Sequence, residues 1–338
     1  MSLIPDTQIS DLPIADAPPL PDNYISITVL PIQIIRTTVE VFHPEKSIIT
    51  KEGVKDSVRK PSDGFFKIGR QQITESGLRP NDLMLPPSDR AISRSHCQID
   101  YKSFFYHTSS QSWLAFLMAL HPRLGQNSIL QYLPIEIFKY IWLFIKQPQY
   151  PLLIDLGSMC GTFIKVSNTD ATILAPGLNF LVGSDINIEI DRLENEYGKG
   201  NEEFKGNDTL IGGGENQGYL PLIVVKVSKT LTDNEATVNV TTWKFEALPK
   251  KCRFTVGRSQ NCDINLPENT ISRVQCRIFY EEKQWKLLDG TEGKPTVNGT
   301  WQSICRRNNQ NREESKPYPL KNGSQIKISD TILQVDWN

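Results

Sequence analysis

"LPPSDRAISRSHC" at residues 85–97 and "LPENTISRVQC" at residues 266–276 are two versions of one stretch. In each, a Leu-Pro pair leads to a Ser-Arg pair, Ser93-Arg94 or Ser272-Arg273, and a Cys-x-Ile follows. The likeness runs outward in the same order on both sides. "FKIGR" (66–70) matches "FTVGR" (254–258), "DLMLP" (82–86) matches "DINLP" (263–267), and "LID" (153–155) matches "LLD" (287–289). "GTF" at 161 then matches "GTW" at 299, and "FLVGSDINI" (180–188) is set against "LKNGSQIKI" (320–328). A self-similar order of this kind means two copies of one structural unit.

Period-two alternation in "FKIG", "CQIDY", "CRIFY", "INIEI" and "IKISD", with Gly, Pro, Asn and Asp between the runs, predicts short strands joined by turns. The fold class is therefore all-β, with two sandwiches at 22–190 and 219–338 behind a solvated tail at 1–21. Residues 191–218 are charged, Gly-rich and nearly free of apolar side chains, the composition of a flexible linker. Ser93 and Gly161 are 68 residues apart but Ser272 and Gly299 only 27, so the first copy carries 41 extra residues. They fall at about 104–150, where "SWLAFLMAL" and "LPIEIFKYIWLFI" predict an α-helical hairpin inserted in the first sandwich.

Composition narrows the function. The 338 residues with 38% hydrophobic content suffice for two cores. Lys plus Arg (37) balance Asp plus Glu (38) without a basic run, which argues against nucleic acid as a partner. Cysteines 97, 160, 252, 262, 276 and 305 lack metal-ligand spacing, so no metal is expected, and they read as reduced intracellular thiols. The N-terminal stretch lacks a basic segment followed by an apolar run, and the longest apolar run, 133–145, is too short to span a bilayer. The expectation is an intracellular protein, in nucleus or cytoplasm, without a membrane partner.

The repeated polar residues sit where strands give way to loops. Gly69-Arg70 and Gly257-Arg258 follow one strand, Ser93-Arg94 and Ser272-Arg273 start another, and Gly161-Thr162 and Gly299-Thr300 lie in a loop after the "LID/LLD" strand. Loops on a rigid scaffold are where binding residues concentrate. Guanidinium forks, a hydroxyl and main-chain amides together suit a dianionic phosphate, which offers several acceptor oxygens to charge-assisted hydrogen bonds. His43, His96, His107 and His121 join no repeated nucleophile–base arrangement, so binding is expected, with no catalytic residue and no cofactor.

The order Gly-Arg, Ser-Arg-x-His, Asn-Gly-Thr resembles the forkhead-associated (FHA) domain, a β-sandwich that recognises phosphothreonine peptides. The resemblance implies phosphopeptide-binding residues Arg70, Ser93 and Arg94 in the first copy and Arg258, Ser272, Arg273 and Asn298 in the second. It implies structural support from His96, Gly69, Gly257, Gly161 and Gly299. Two departures stand out: Cys160 where the family has asparagine, expected to remove a peptide contact, and Gln275 where it has histidine, expected to perturb loop support. The implied function is a non-enzymatic adaptor for phosphothreonine-containing proteins. As an alternative, "LPIEIFKYI" in the insertion resembles the start of an F-box, which would make the protein a ubiquitin-ligase substrate receptor with a helix-binding partner at 104–150.

Overall fold

The computed structural model describes residues 24–30, 46–54, 59–71, 77, 80–105, 118, 150–194, 220–229, 240–248, 251–305 and 313–338. Its strands form two matching series. The first begins with β1 (Ile25–Leu30), β2 (Lys46–Thr50) and β3 (Gly53–Val54). It continues with β4 (Phe65–Gly69), β5 (Leu83–Met84), β6 (Cys97–Asp100) and β7 (Leu152–Asp155). It closes with β8 (Phe163–Lys165), β9 (Thr172–Ile173), β10 (Asn179–Val182) and β11 (Ile186–Glu194). The second series opens with β12 (Leu222–Lys229) and β13 (Val240–Glu246), followed by β14 (Arg253–Gly257), β15 (Ile264–Asn265), β16 (Cys276–Glu281) and β17 (Gln284–Asp289). Its end is β18 (Thr300–Ser303), β19 (Tyr318–Pro319), β20 (Ser324–Ile328) and β21 (Thr331–Trp337).

Alternation chooses the buried face of each strand. Ile186, Ile188 and Ile190 of β11 point into a core while Asn187 and Glu189 do not, and Thr331, Leu333 and Val335 do the same in β21. The partners are less expected. β4–β7 form a five-stranded sheet whose edge is β19, from the far end of the chain, and β14–β17 form its counterpart with β9 at the edge. The remaining strands make one 11-stranded sheet in the order β13-β12-β11-β10-β18-β8-β20-β21-β1-β2-β3.

The last strands of the two series have therefore changed places. β10 and β11 pair with β18 and β12, whereas β20 and β21 pair with β8 and β1. The buried clusters divide the same way: one joins Val166–Ile190 residues to Ile223–Leu287 residues, the other joins Ile25–Ile164 residues to Leu320–Val335 residues. One sandwich is thus built from the described residues of 24–165 and 304–338, and the other from those of 166–303. Five side chains of the β10–β11 hairpin (Phe180, Val182, Ile186, Ile188, Ile190) enter the second core. Burying them is worth about 10 kcal/mol, the scale of a whole domain's stability.

Both crossings are tied to the sheets they enter. On one, the Val166 amide donates to Thr300 O (2.8 Å) and the Asp289 amide to Ser167 O (3.0 Å). On the other, the Ile304 amide donates to Thr162 O (3.1 Å) and the Ser315 amide to Asp155 O (2.9 Å). Between the crossings β8 and β18 pair antiparallel, with Ile164 opposite Gln302, its own equivalent in the repeat. A local twofold axis passes between these two residues, so the sandwiches meet as the halves of an isologous dimer do.

Three expectations change. The boundary near 190 and 219 does not divide the sandwiches, because β11 and β12 on either side of it are neighbours, with Glu194 opposite Leu222. Asp191–Glu194, expected in the linker, extend β11. The last repeated block is also re-registered: Gly177 and Gly323 share φ of +80° at the turn into the penultimate strand, and Gly183 (φ +63°) and Ser329 (φ +51°) occupy the next turn. A four-residue α1 (Lys102–Phe105) follows β6 and packs through Phe104 on Trp337 at 5.8 Å; it does not test the helical hairpin expected at about 104–150. Apart from Met118 and Tyr150, the segment after Phe105 to 150 lies outside the described residues, as do the 1–21 tail and 195–218 of the linker. The F-box alternative falls there too.

Candidate phosphate-binding loops

At the end of β4 and of β14 the backbone runs so close to a neighbouring loop that a side chain would collide. A Cβ on Gly69 would lie 2.2 Å from Arg94 O, and one on Gly257 would lie 2.4 Å from Arg273 O. The close approach lets two amides bond across the gap in each copy. Arg70 and Gln71 donate to the carbonyls of Ser93 and Arg94, both at 3.1 Å; Arg258 and Ser259 donate to those of Ser272 and Arg273, at 3.0 and 3.1 Å. Gly-Arg and Ser-Arg are thereby strapped together twice over. The Arg94 carbonyl also accepts from Asn81 Nδ2 (2.8 Å), and the Arg273 carbonyl from Cys262 Sγ (3.2 Å).

A buried side chain then fastens this strap to the Gly-Thr loop. His96 Nδ1 accepts the Ser93 amide at 3.1 Å and Nε2 donates to Gly161 O at 3.2 Å. Those roles require a neutral ring protonated on Nε2. Burial lowers its pKa, against an opposing pull from the Asp155 carboxylate. Gln275 does the same work with an amide: Oε1 accepts the Ser272 amide at 3.0 Å and Nε2 donates to Gly299 O at 2.8 Å. The expected perturbation at Gln275 is thus absent. An amide places an acceptor and a donor where the imidazole places its two nitrogens. Beneath both loops sits a fully buried aspartate. Asp155 accepts from the Ser158 amide and from the Ser158 and Thr162 hydroxyls; Asp289 accepts from the Thr296 amide and from the Thr296 and Thr300 hydroxyls.

The outward groups differ more. Arg258, Arg273 and Asn298 are exposed and Ser272 is half-buried. Asn298 Nδ2 donates to Thr270 O at 2.7 Å, which ties the Asn-Gly-Thr loop to the Ser-Arg loop. In the first copy Arg94 is exposed, Arg70 and Ser93 are half-buried, and Arg70 Nε donates to Ile92 O. The Ser93 hydroxyl accepts from the Met159 amide at 3.0 Å. Cys160, in the place of Asn298, turns its thiol to Gly161 O in its own loop at 3.7 Å, leaving that cross-loop tie unmade. Next to these positions Val297 is 86% and Met159 58% exposed, so both rims are open to a ligand.

Each set expected from the sequence is therefore brought to one loop cluster: Arg70, Ser93 and Arg94 with His96, Gly69 and Gly161, and Arg258, Ser272, Arg273 and Asn298 with Gln275, Gly257 and Gly299. The supports missed were Asn81, Cys262, Thr162 and Thr300. Asn81 and Cys262 carried a signal, since each directly precedes the repeated Asp of "DLMLP" and "DINLP".

Residues 254–329 match the FHA domain. That stretch contains the Gly-Arg, Ser-Arg and Asn-Gly-Thr motifs of the second copy, and an FHA domain is a phosphothreonine-binding module for protein–protein interaction. The crystal structure of the Slr1951 protein from Synechocystis sp. is 19% identical over 31% of this chain and 89% of that chain, at a TM-score of 0.15. The comparison with curated proteins gives no match. The fold is nearly all β, consistent with an FHA sandwich.

Proposed function

We propose that the protein is a non-enzymatic adaptor with two phosphothreonine sites, one in each sandwich. Arg258, Ser272, Arg273 and Asn298 bind in one, and Arg70, Ser93 and Arg94 in the other. The observation that carries the reading is the duplicated strap: four amide–carbonyl bonds and two buried side chains hold the Gly-Arg and Ser-Arg loops in one arrangement in both copies. Such preorganisation puts two guanidinium groups and a hydroxyl around a dianion without ordering them at the moment of binding.

Because β8 and β18 pair directly, the sandwiches hold a set orientation. A partner with two suitably spaced phosphothreonines gains from effective concentration, and one with the wrong spacing does not. The test is titration of a phosphothreonine peptide pool against the full chain and against Arg70→Ala, Arg258→Ala and the double variant. Binding should require the phosphate, fall with each single change and vanish with both. Equal binding of the unphosphorylated pool overturns the reading.

A further inference from the structure

We infer that the second site is extended by two lysines from the other sandwich, Lys165 and Lys327, into a subsite for an anionic side chain beside the phosphothreonine. The inference rests on the reading of that site as a phosphothreonine site. Lys165 of β8 stands opposite Trp301 of β18, and Lys327 of β20 stands opposite Phe163 of β8. With a period of two along β8, all four share one face of the sheet. Lys165 Cε would lie 3.2 Å from a Cβ on Gly299, so its side chain runs along the Asn298-Gly299 loop. Its Nζ is 5.9 Å from the Trp301 ring centre, and Lys327 Nζ is 5.7 Å from the same centre.

Trp301 is nearly fully buried and donates from Nε1 to Asn298 O at 2.7 Å. One indole therefore supports the peptide-facing loop and sits beside both ammonium groups. Neither lysine has an ion pair among the described residues, although the charged neighbours at the other loops are paired: Lys229 with Glu268 at 2.6 Å and Asp185 at 3.6 Å, for instance. A partly desolvated ammonium without a carboxylate gains when an anion arrives. Burial holds the Lys327 pKa below its ordinary value, with Asp330 the acid acting on it.

The local twofold supplies an internal control. At the first site the position of Trp301 is taken by Phe163, that of Lys165 by Ser303, which stands opposite Phe163, and that of Lys327 by Leu181, which stands opposite Trp301. The first site has no cation at either place. The exchange of strands brings both lysines to the second loop, and the anion read there is a carboxylate or a second phosphate a few residues from the phosphothreonine.

The test uses the full chain carrying Arg70→Ala, so that phosphate is taken at the second site. The probes are alanine-flanked phosphothreonine peptides in which a single Asp, phosphoserine or Lys is moved through the flanking positions. At one or two positions Asp should tighten binding about two- to fivefold over Ala, phosphoserine more, and Lys should weaken it. The gain should shrink in about 0.5 M salt. The Asp-to-Ala affinity ratio should fall to unity in Lys165→Gln, Lys327→Gln protein and persist in Lys165→Arg. An Asp preference that survives the double glutamine change, or phosphate-dependent binding with no acidic preference anywhere, overturns the subsite. Phosphoserine raising affinity where Asp does not identifies a second phosphate as the anion read, and still supports it. Binding indifferent to the central phosphate overturns the phosphothreonine reading and the subsite with it.

Discussion

Beneath the two candidate phosphate loops, one position holds histidine in the first copy and glutamine in the second; on top of them, another holds cysteine in the first and asparagine in the second. The lower exchange leaves the geometry intact. His96 and Gln275 each accept from a serine amide and donate to a glycine carbonyl within 0.4 Å of the same lengths, 3.1 and 3.2 Å against 3.0 and 2.8 Å. The upper exchange does not, since the thiol of Cys160 turns to Gly161 O and to the Ser329 backbone whereas the amide of Asn298 reaches across to Thr270. A buried support has to meet two fixed partners, and any side chain with an acceptor and a donor at that separation will serve. A position that must span a gap and face a ligand depends on reach and donor strength, which a thiol lacks.

The sharpest way to break this comparison is to remove the lower hydrogen bonds altogether. Gln275→Leu orphans the Ser272 amide and the Gly299 carbonyl in a buried place and should destabilise the second sandwich by about 2 to 5 kcal/mol in denaturant melts. If the loss is only a few tenths, glutamine is not the support described. Arg258→Ala comes next. It should weaken phosphopeptide binding at the second site by about 1.5 to 3 kcal/mol, the worth of a hydrogen bond to a charged group, while the melting curve barely moves because the side chain is exposed.

A smaller effect is expected from Cys160→Asn, which should restore the cross-loop tie and tighten the first site by about 1 kcal/mol, roughly fivefold, in peptide titrations. No gain would mean that Cys160 is not the ligand-facing equivalent of Asn298. Smallest of all, His96→Gln should cost under about 1 kcal/mol at pH 7.5 if the two supports are interchangeable. It should also change the pH profile. His96 titrates below its ordinary value of 6.5 in the folded protein, so the unfolded chain binds the extra proton first. Its contribution to stability is complete above pH 6.5 and is lost as pH falls below that towards the folded value. The glutamine variant should lack this component of acid destabilisation in melts between about pH 7 and pH 5.

Much of the candidate site's geometry was legible because the repeat named its residues. Gly69 and Gly257, Arg70 and Arg258, Ser93 and Ser272 recur at matching places, and the close backbone approach explains why the glycines must. Strand positions were legible too, since alternation marks the buried face of β11 or β21 whatever lies opposite. The partner was not. Alternation says which face a strand buries but not which copy's sheet receives it, and two copies with the same pattern can each accept the other's hairpin. The same degeneracy hid the register of the last block, where Gly183 and Gly323 both precede an alternating run but only Gly177 shares the turn of Gly323. Lys165 and Lys327 could not be placed near Asn298 without knowing that exchange.

The route of the chain through the sandwiches also sets an order of events. Residues 166–303 contain every strand of the second sandwich and can close as soon as they exist, whereas the first must hold its place until β20 meets β8, pairing Ile326 with Ile164 across 162 residues. Contacts that distant form late, because the intervening chain must be ordered or looped first. Folding the inserted sandwich shortens that search, since pairing of β8 with β18 sets Ile304 beside Thr162. Until then Ile25, Phe66 and Ile99 lack the cover that Leu333 and Val335 later provide. During synthesis or refolding this half, not the inserted one, is where exposed apolar surface lingers and where chaperones or aggregation would act.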